Sequence, residues 1–157
     1  VYKRQLMKRL SSYIPNIITC CNLTAGSLAV IMALRGTFEQ AAIFILIAAV
    51  CDFLDGLSAR LLHAYSDMGK ELDSLSDLIS FGLAPGLMVY TLLNDYLLLP
   101  YGNLEYLAYV ALLIPIAGGI RLAKFNVDDR QTTSFIGLPI PANALFWIGV
   151  CLSLIHI

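Results

Sequence analysis

Apolar residues along this chain come in long runs broken by short polar stretches, with neither the period-two alternation of strands nor a single amphipathic stripe. A helix needs about 20 mainly apolar residues to cross a bilayer. Residues 14–34, 38–62, 72–93 and 104–125 each reach that length, and a fifth run opens near Pro139 and continues to the end of the sequence. The second run is uninterrupted from Ala41 to Val50 and then turns acidic, and the third opens acidic. The pattern predicts an all-α polytopic membrane bundle with about five helices, free of internal repeats and low-complexity segments.

Composition supports this class. The 157 residues are 59% apolar and only 13% charged, with a mean hydropathy of +0.77, against about half apolar and about a quarter charged for a soluble domain. A net charge of -1 gives no basic surface for nucleic acid, so no nucleic-acid partner is expected. Cys20, Cys21, Cys51 and Cys151 all sit in apolar runs and lack C-x-x-C spacing, so they read as buried small apolar residues rather than metal ligands or disulfides. The first run contains Asn16, Asn22 and Thr24 and no small-residue cleavage site, which argues against a cleaved signal peptide.

The two ends read differently from the rest. VYKRQ (1–5) is the translation of GTGTATAAGAGACAG, and LSLIHI (152–157) translates its reverse complement extended by one codon. That DNA resembles a transposase end used in sequencing libraries. The expectation is that 1–5 and 152–157 are translated adapter, leaving a membrane domain over 7–151 that is cut within its fifth helix; other codons at these positions in the source DNA would refute this.

Charge position sets the expected orientation. Lys8 and Arg9 at the amino end (with Lys3 and Arg4 if these are native), Arg60 and Lys70 between the second and third runs, and Arg121, Lys124 and Arg130 between the fourth and fifth share one side. The opposite side carries Arg35, and 94–103 has no basic residue. By the positive-inside rule the amino end is cytoplasmic. The polar motifs then all fall at cytoplasmic helix ends of an integral protein, expected in a bacterial inner (plasma) membrane.

The candidate chemistry is four aspartates. Asp52 and Asp55 share a helix face by i, i+3 spacing, and Asp73 and Asp77 by i, i+4 spacing. The short connection makes their helices antiparallel neighbours, so the four carboxylates can meet. A charge at membrane depth costs at least about 2.5 kcal/mol, and like charges repel, so bound divalent cations are the simplest compensation. Carboxylates are hard donors suited to Mg²⁺, Mn²⁺ or Ca²⁺, and two such ions would clamp phosphates. Gly56 and Gly69 fall on the acidic faces, where a ligand can approach the backbone. Ala59 is small, and Arg60 can clamp a phosphate. The competing interpretation is that these aspartates are helix caps or loop charges.

The segment Asp52-x-x-Asp55-Gly56-x-x-Ala59-Arg60, eight residues, then Gly69-x-x-x-Asp73-x-x-x-Asp77 matches every fixed position of the pattern carried by CDP-alcohol phosphotransferases. The chain resembles that family. The resemblance implies a six-helix membrane core and a divalent metal pair, Mg²⁺ or Mn²⁺, held by Asp52, Asp55 and Asp73 with help from Asp77. It implies a CDP-linked lipid donor with CMP as leaving group, Asp77 as general base, Gly56, Ala59, Arg60 and Gly69 at nucleotide-binding positions, and a homodimer.

Further segments resemble bacterial phosphatidylserine synthases: Pro15-Asn16 through Thr19 and Asn22 to Gly26, Ser74 through Ser76, Asp77, Ser80, Phe81 and Gly82 to Pro85, Arg121 through Lys124 to Asn126, and Gly137-Leu-Pro139-Ile-Pro141-Ala142. Phosphatidylglycerolphosphate synthases usually carry proline and lysine where Ser74 and Leu78 stand. The resemblance implies CDP-diacylglycerol as donor and L-serine as acceptor. Arg121 or Lys124 would take the serine carboxylate, with Asn126 and Ser76 as hydrogen-bonding partners; the alternatives for the two cations are the positive-inside rule alone or lipid phosphate. Asn16, Thr19 and Asn22 share a face and would line the nucleotide pocket, or else supply a cap at Asn16 and interhelical bonds. The same chemistry with inositol phosphate, glycerol phosphate or choline is the second interpretation. The third is a divalent-cation transporter, disfavoured because transport sites normally lie near the bilayer midplane. His63 and the run Asp128, Asp129, Arg130 read as solvated loop, and Trp147, Tyr96, Tyr101 and Tyr106 as interface aromatics.

Overall fold

The structure, a computed structural model, describes residues 2–98, 105–127 and 139–156. Among these residues every regular element is helical: α1 (Tyr2–Leu34), α2 (Phe38–Leu61), α3 (Asp67–Asp77), α4 (Ala84–Leu92), α5 (Leu113–Val127) and α6 (Ile140–His156). A π-helical turn, Leu78–Leu83, joins α3 to α4, and a second, Leu93–Leu98, follows α4. A 3₁₀ segment, Glu105–Leu112, leads into α5. The described residues form four helices long and apolar enough to cross a membrane, Tyr13–Leu34, Phe38–Leu61, Asp67–Tyr96 and Tyr106–Val127, while α6 is a shorter apolar helix. The expected all-α membrane bundle is observed.

Packing follows membrane rather than soluble logic. Lipid tails are as apolar as leucine, so helices associate through small residues that let backbones approach. Ala25, Ala29 and Ala33 recur every fourth position of α1 and are buried with Ala41, Ala42, Ile45 and Ala48 of α2. The tight connection between them places Gly36 at φ 71, in the left-handed region that favours glycine. The outer faces carry large apolar residues such as Ile43, Leu46, Ile47, Val50 and Phe53, as a hydrocarbon environment requires. Hydroxyls on these faces bond back into their own helix, as Thr24 does to the Cys20 carbonyl (2.8 Å) and Ser27 to that of Leu23 (2.8 Å).

The third span is the central one, more deeply buried (56%) than the first or fourth (33% and 17%). It opens at Asp67 rather than 72, because Ser66 caps it by accepting from Gly69 N (3.0 Å). Its mid-span π turn has a local cause. Pro85 has no N–H to return to the Phe81 carbonyl, and its ring crowds that carbonyl. Widening the turn relieves the clash, and Ala84 N reaches back to the Ile79 carbonyl. Gly82 and Gly86 then admit Pro115 of α5: a Cβ at Gly86 would lie 2.8 Å from Pro115 Cδ.

Other expectations resolve individually. Asn16 is not a helix cap, since α1 begins at Tyr2. Cys151 is buried as expected, but Cys20 and Cys21 lie exposed on the outer surface of α1 and Cys51 is half-buried. Exposure to lipid costs a thiol little, which is why an apolar run alone could not separate the two environments. His63 is an exposed turn residue at φ 49. Tyr96 packs edge-on against Phe38, with ring centroids 5.9 Å apart. Tyr101, Asp128, Asp129, Arg130 and Gly137 lie outside the described residues.

Candidate active site

Two helix ends and one helix face build the site. α2 contributes Asp52 and Asp55 from its last turns, and α3 contributes Asp73 and Asp77. α2 and α3 pack on α1 far more than on each other, and this shared support, with the short 62–66 connection, brings the carboxylates together. Carboxylate oxygens of Asp52, Asp55 and Asp73 lie within 4.8 Å of one another. Asp77 stands one turn beyond Asp73, and its carboxyl meets that of Asp52. The four aspartates therefore form one cluster, with three of them making the compact oxygen set.

The set fits a hard divalent cation. It offers carboxylate oxygens only, and among the described residues no lysine or arginine pairs with it. Asp73 Oδ1 is buried with no hydrogen-bond partner. A buried carboxylate oxygen left without a partner is costly, and a cation at the centre of the three carboxylates would satisfy it.

α1 is the third wall, and its polar face serves the aspartates. Thr19 Oγ1 donates to Asp55 Oδ2 (2.6 Å) and also lies 3.0 Å from the Pro15 carbonyl. Asn22 Nδ2 donates to Asp77 Oδ1 (3.3 Å), while Asn22 Oδ1 accepts from Ser80 Oγ (2.7 Å). Thr19, Asn22, Ser76 and Ser80 are all buried. Ser76 donates to the Thr19 carbonyl (3.4 Å).

Beside the cluster opens a cavity of about 410 Å³. Asn16, Thr19, Gly56, Ala59, Arg60 and Gly69 all line it together with Asp55 and Asp73, so the six residues assigned to nucleotide binding from the sequence share one space with two of the cluster carboxylates. The two glycines differ within it. A Cβ at Gly56 would meet nothing within 4 Å, leaving the wall open there. A Cβ at Gly69 would lie 2.9 Å from both Asn16 Oδ1 and Ser66 Oγ, so Gly69 makes room for protein side chains rather than for a ligand.

Pro15, Ala64, Tyr65, Ser66, Asp67 and Lys70 also line the cavity, and none of them was a site candidate in the sequence. Lys70 was findable: it precedes Asp73 by three residues and so shares its face. Asn22, expected in the nucleotide pocket, instead faces Asp77 and is not among the cavity-lining residues.

The four acceptor-binding candidates do not line the cavity. Ser76 is fully buried against α1, because the residue three beyond Asp73 is turned toward Thr19 rather than the open space. Asn126 Nδ2 donates to Ser74 Oγ (2.9 Å), which ties the end of α5 to α3 next to Asp73. Arg121 is half-buried and Lys124 exposed on that same end of α5.

A four-aspartate cluster at paired helix ends, beside a cavity lined by an arginine and a lysine, describes a membrane-embedded phosphotransferase. The profile of the CDP-alcohol phosphatidyltransferase family matches residues 12–156, and the chain belongs to that family. It is 39% identical over 144 residues to a Bacillus subtilis protein named CDP-diacylglycerol–serine O-phosphatidyltransferase, covering 92% of this chain and 75% of that one. It is 36% identical over 145 residues to an archaetidylserine synthase of Methanothermobacter thermautotrophicus, covering 88% of this chain and 58% of the relative. A Helicobacter pylori protein with the same name as the Bacillus one is 36% identical over 142 residues, covering 89% and 57%. The chain thus spans three quarters of one of these relatives and a little over half of the other two.

Proposed function

We propose that this chain transfers the phosphatidyl group of CDP-diacylglycerol to the hydroxyl of L-serine, releasing CMP and giving phosphatidylserine. One observation carries the reading: Asn16, Thr19, Gly56, Ala59, Arg60 and Gly69 line a single cavity with Asp55 and Asp73, and Asp52 completes the oxygen set. The names of the relatives support serine as acceptor. The cluster would hold a divalent ion, Mg²⁺ or Mn²⁺ and two ions in the full reading, through Asp52, Asp55 and Asp73, with Asp77 adjoining. When bound, the metal supplies positive charge to the diphosphate of the donor.

The protein's own groups divide the remaining work. Arg60 and Lys70 bind phosphate oxygens at the cavity wall, and the open space beside Gly56 receives the nucleotide. Asp77 takes the proton of the serine hydroxyl. The serine oxygen forms its bond to the lipid-bearing phosphorus, the bond from that phosphorus to the CMP oxygen breaks, and CMP leaves. Arg121 and Lys124, on the α5 end that Asn126 ties to Ser74, meet the serine carboxylate. The basic residues beside the site favour, by the positive-inside rule, a cytoplasmic site and amino end, where nucleotide and serine arrive from water; the membrane of this reading is a bacterial inner membrane. A homodimer follows from the family resemblance, and cross-linking in native membranes checks it.

The test is CMP release from CDP-diacylglycerol with added metal and a panel of alcohols. Release that requires serine is expected; release with inositol phosphate, glycerol phosphate or choline instead moves the chain to another acceptor. Metal uptake without turnover would replace the enzyme reading with transport. Asp77→Asn should abolish transfer and leave CDP-lipid binding largely intact, whereas Asp55→Asn should lose metal binding as well.

A further inference from the structure

Thr19 and Asn22 sit one turn apart on α1, and each sends its side chain to a different aspartate of the cluster. The Asn22 contact is the more constrained. Its amide has a donor end and an acceptor end, and both are engaged. Nδ2 donates to Asp77 Oδ1 at 3.3 Å, and Oδ1 accepts from Ser80 Oγ at 2.7 Å. A flipped amide would set two acceptor oxygens against each other at Asp77, so the carboxylate and the serine hydroxyl select the same orientation. Asn22 and Ser80 are both fully buried, which removes competition from water and strengthens the chain of bonds.

The fold goes to some length to put Ser80 there. Ser80 lies in the π turn that opens one residue after Asp77, and such turns recur at functional sites. It also approaches the Asn22 carbonyl (3.3 Å). This approach depends on Gly26, one turn along α1: a Cβ there would collide with Ser80 Oγ and lie 2.8 Å from Ser80 Cα. Proline-driven widening of the third span and a glycine on the first therefore converge on one hydroxyl, whose side chain reaches no substrate-facing surface.

We infer that Asn22 is a positioning residue for Asp77, held in its working orientation by Ser80. The amide holds one oxygen of Asp77 and so fixes the orientation in which the carboxyl, which also meets Asp52, faces the acceptor alcohol. This inference rests on the reading of Asp77 as the base. Interhelical adhesion alone would produce the same bonds, so the test separates alignment from adhesion.

The experiment measures CMP release and thermal stability for the full chain in lipid–detergent micelles, comparing Asn22→Leu, Ser80→Ala, the double variant and Asp77→Asn. Asn22→Leu keeps the branched shape and the number of heavy atoms and removes both polar ends. It should lower kcat by roughly 10- to 100-fold, the usual effect of losing an outer-layer partner. The KM for CDP-diacylglycerol should stay within about twofold, since Asn22 does not line the cavity. Ser80→Ala should give a smaller fall in kcat, and the double variant should be no slower than Asn22→Leu, because both act through one bond to Asp77.

Fold-losses that multiply in the double variant, or a KM that rises in step with the fall in kcat, would mark the pair as adhesive and overturn the inference. So would an unchanged kcat in Asn22→Leu. If Asn22→Leu fails to fold, Ser80→Ala, which deletes one oxygen, decides alone: a reduced kcat at unchanged KM upholds the role and an unchanged kcat refutes it. Turnover retained by Asp77→Asn would refute the base itself. Asp77→Asn inactive beside fully active Asn22 and Ser80 variants would refute only the positioning.

Discussion

Gly56 and Gly69 occupy matching places in the sequence pattern, but the structure gives substitution at the two sites different consequences. Gly56 lies inside α2, and a Cβ there meets nothing within 4 Å. Replacing a helix-interior glycine by alanine stabilises by about 0.8–1 kcal/mol when no clash opposes it. For a chain of this size that is a rise of about 2–4 °C in thermal midpoint. The added methyl projects into the cavity shared with Asp55 and Arg60. If that space receives the nucleotide, the methyl overpacks the complex, at a cost of about 1–3 kcal/mol, which corresponds to a fall of about 5- to 150-fold in kcat/KM for CDP-diacylglycerol. Gly69→Ala behaves differently. Its Cβ would lie 2.9 Å from Asn16 Oδ1 and Ser66 Oγ, so the Ser66 cap is lost at a cost of about 1 kcal/mol and the helix-propensity gain of similar size is cancelled. Its thermal midpoint stays near that of the parent while displaced Asn16 weakens donor binding. Thermal unfolding in micelles and CMP release titrated with CDP-diacylglycerol measure both quantities. A Gly56→Ala variant that is more stable and binds donor normally would refute the assignment of this space to substrate, and one that is less stable would refute the packing argument.

Three further outcomes are expected. Chelation should abolish CMP release and added Mg²⁺ or Mn²⁺ restore it, with Asp73→Asn needing roughly 10-fold or more metal for half-activation; activity indifferent to chelator would contradict the oxygen-only site. Gly26→Ala should force α1 away from the π turn, given the 2.8 Å approach to Ser80 Cα, and lower stability by about 1–3 kcal/mol, seen as an earlier thermal transition. Arg121→Ala should raise the KM for serine while leaving that for CDP-diacylglycerol unchanged, and Ser76→Ala, buried against Thr19, should leave the serine KM unaltered; a reversed result would place the acceptor on the opposite side of α3.

How much of this was legible in the sequence depends on whether the signal was local. The spans and the cavity wall were, because run length sets a membrane helix and i, i+3 or i, i+4 spacing sets a face. Gly56, Ala59, Arg60, Asp52 and Asp55 lie within one helix and needed no tertiary information. Ser76 shows the limit. It stands three residues from Asp73, yet the structure turns it to α1 and the Thr19 carbonyl, a choice made by helix packing and invisible to spacing. The partners of the aspartates were equally hidden, since Thr19 with Asp55, Asn22 with Asp77 and Ser80 with Asn22 are joined across 36, 55 and 58 positions.

Those hidden contacts share a chemical property that the spacing argument lacked. A buried carboxylate cluster needs either neutralisation or a cation, and a lysine or arginine packed against it would supply the first and compete with the second. The residues that α1 sends to the cluster are a hydroxyl and an amide, each donating one bond and carrying no charge. They orient Asp55 and Asp77 without discharging them. Asp73 Oδ1 is left with no donor at all, and the cations of the cavity wall, Arg60 and Lys70, stand without an ion pair among the described residues. The neutral polar face of α1 thus keeps the negative charge of the cluster available to a metal and the positive charge of the wall available to a phosphate. This division accounts for the placement of Thr19 and Asn22, rather than charged residues, on a helix that reaches both acidic pairs.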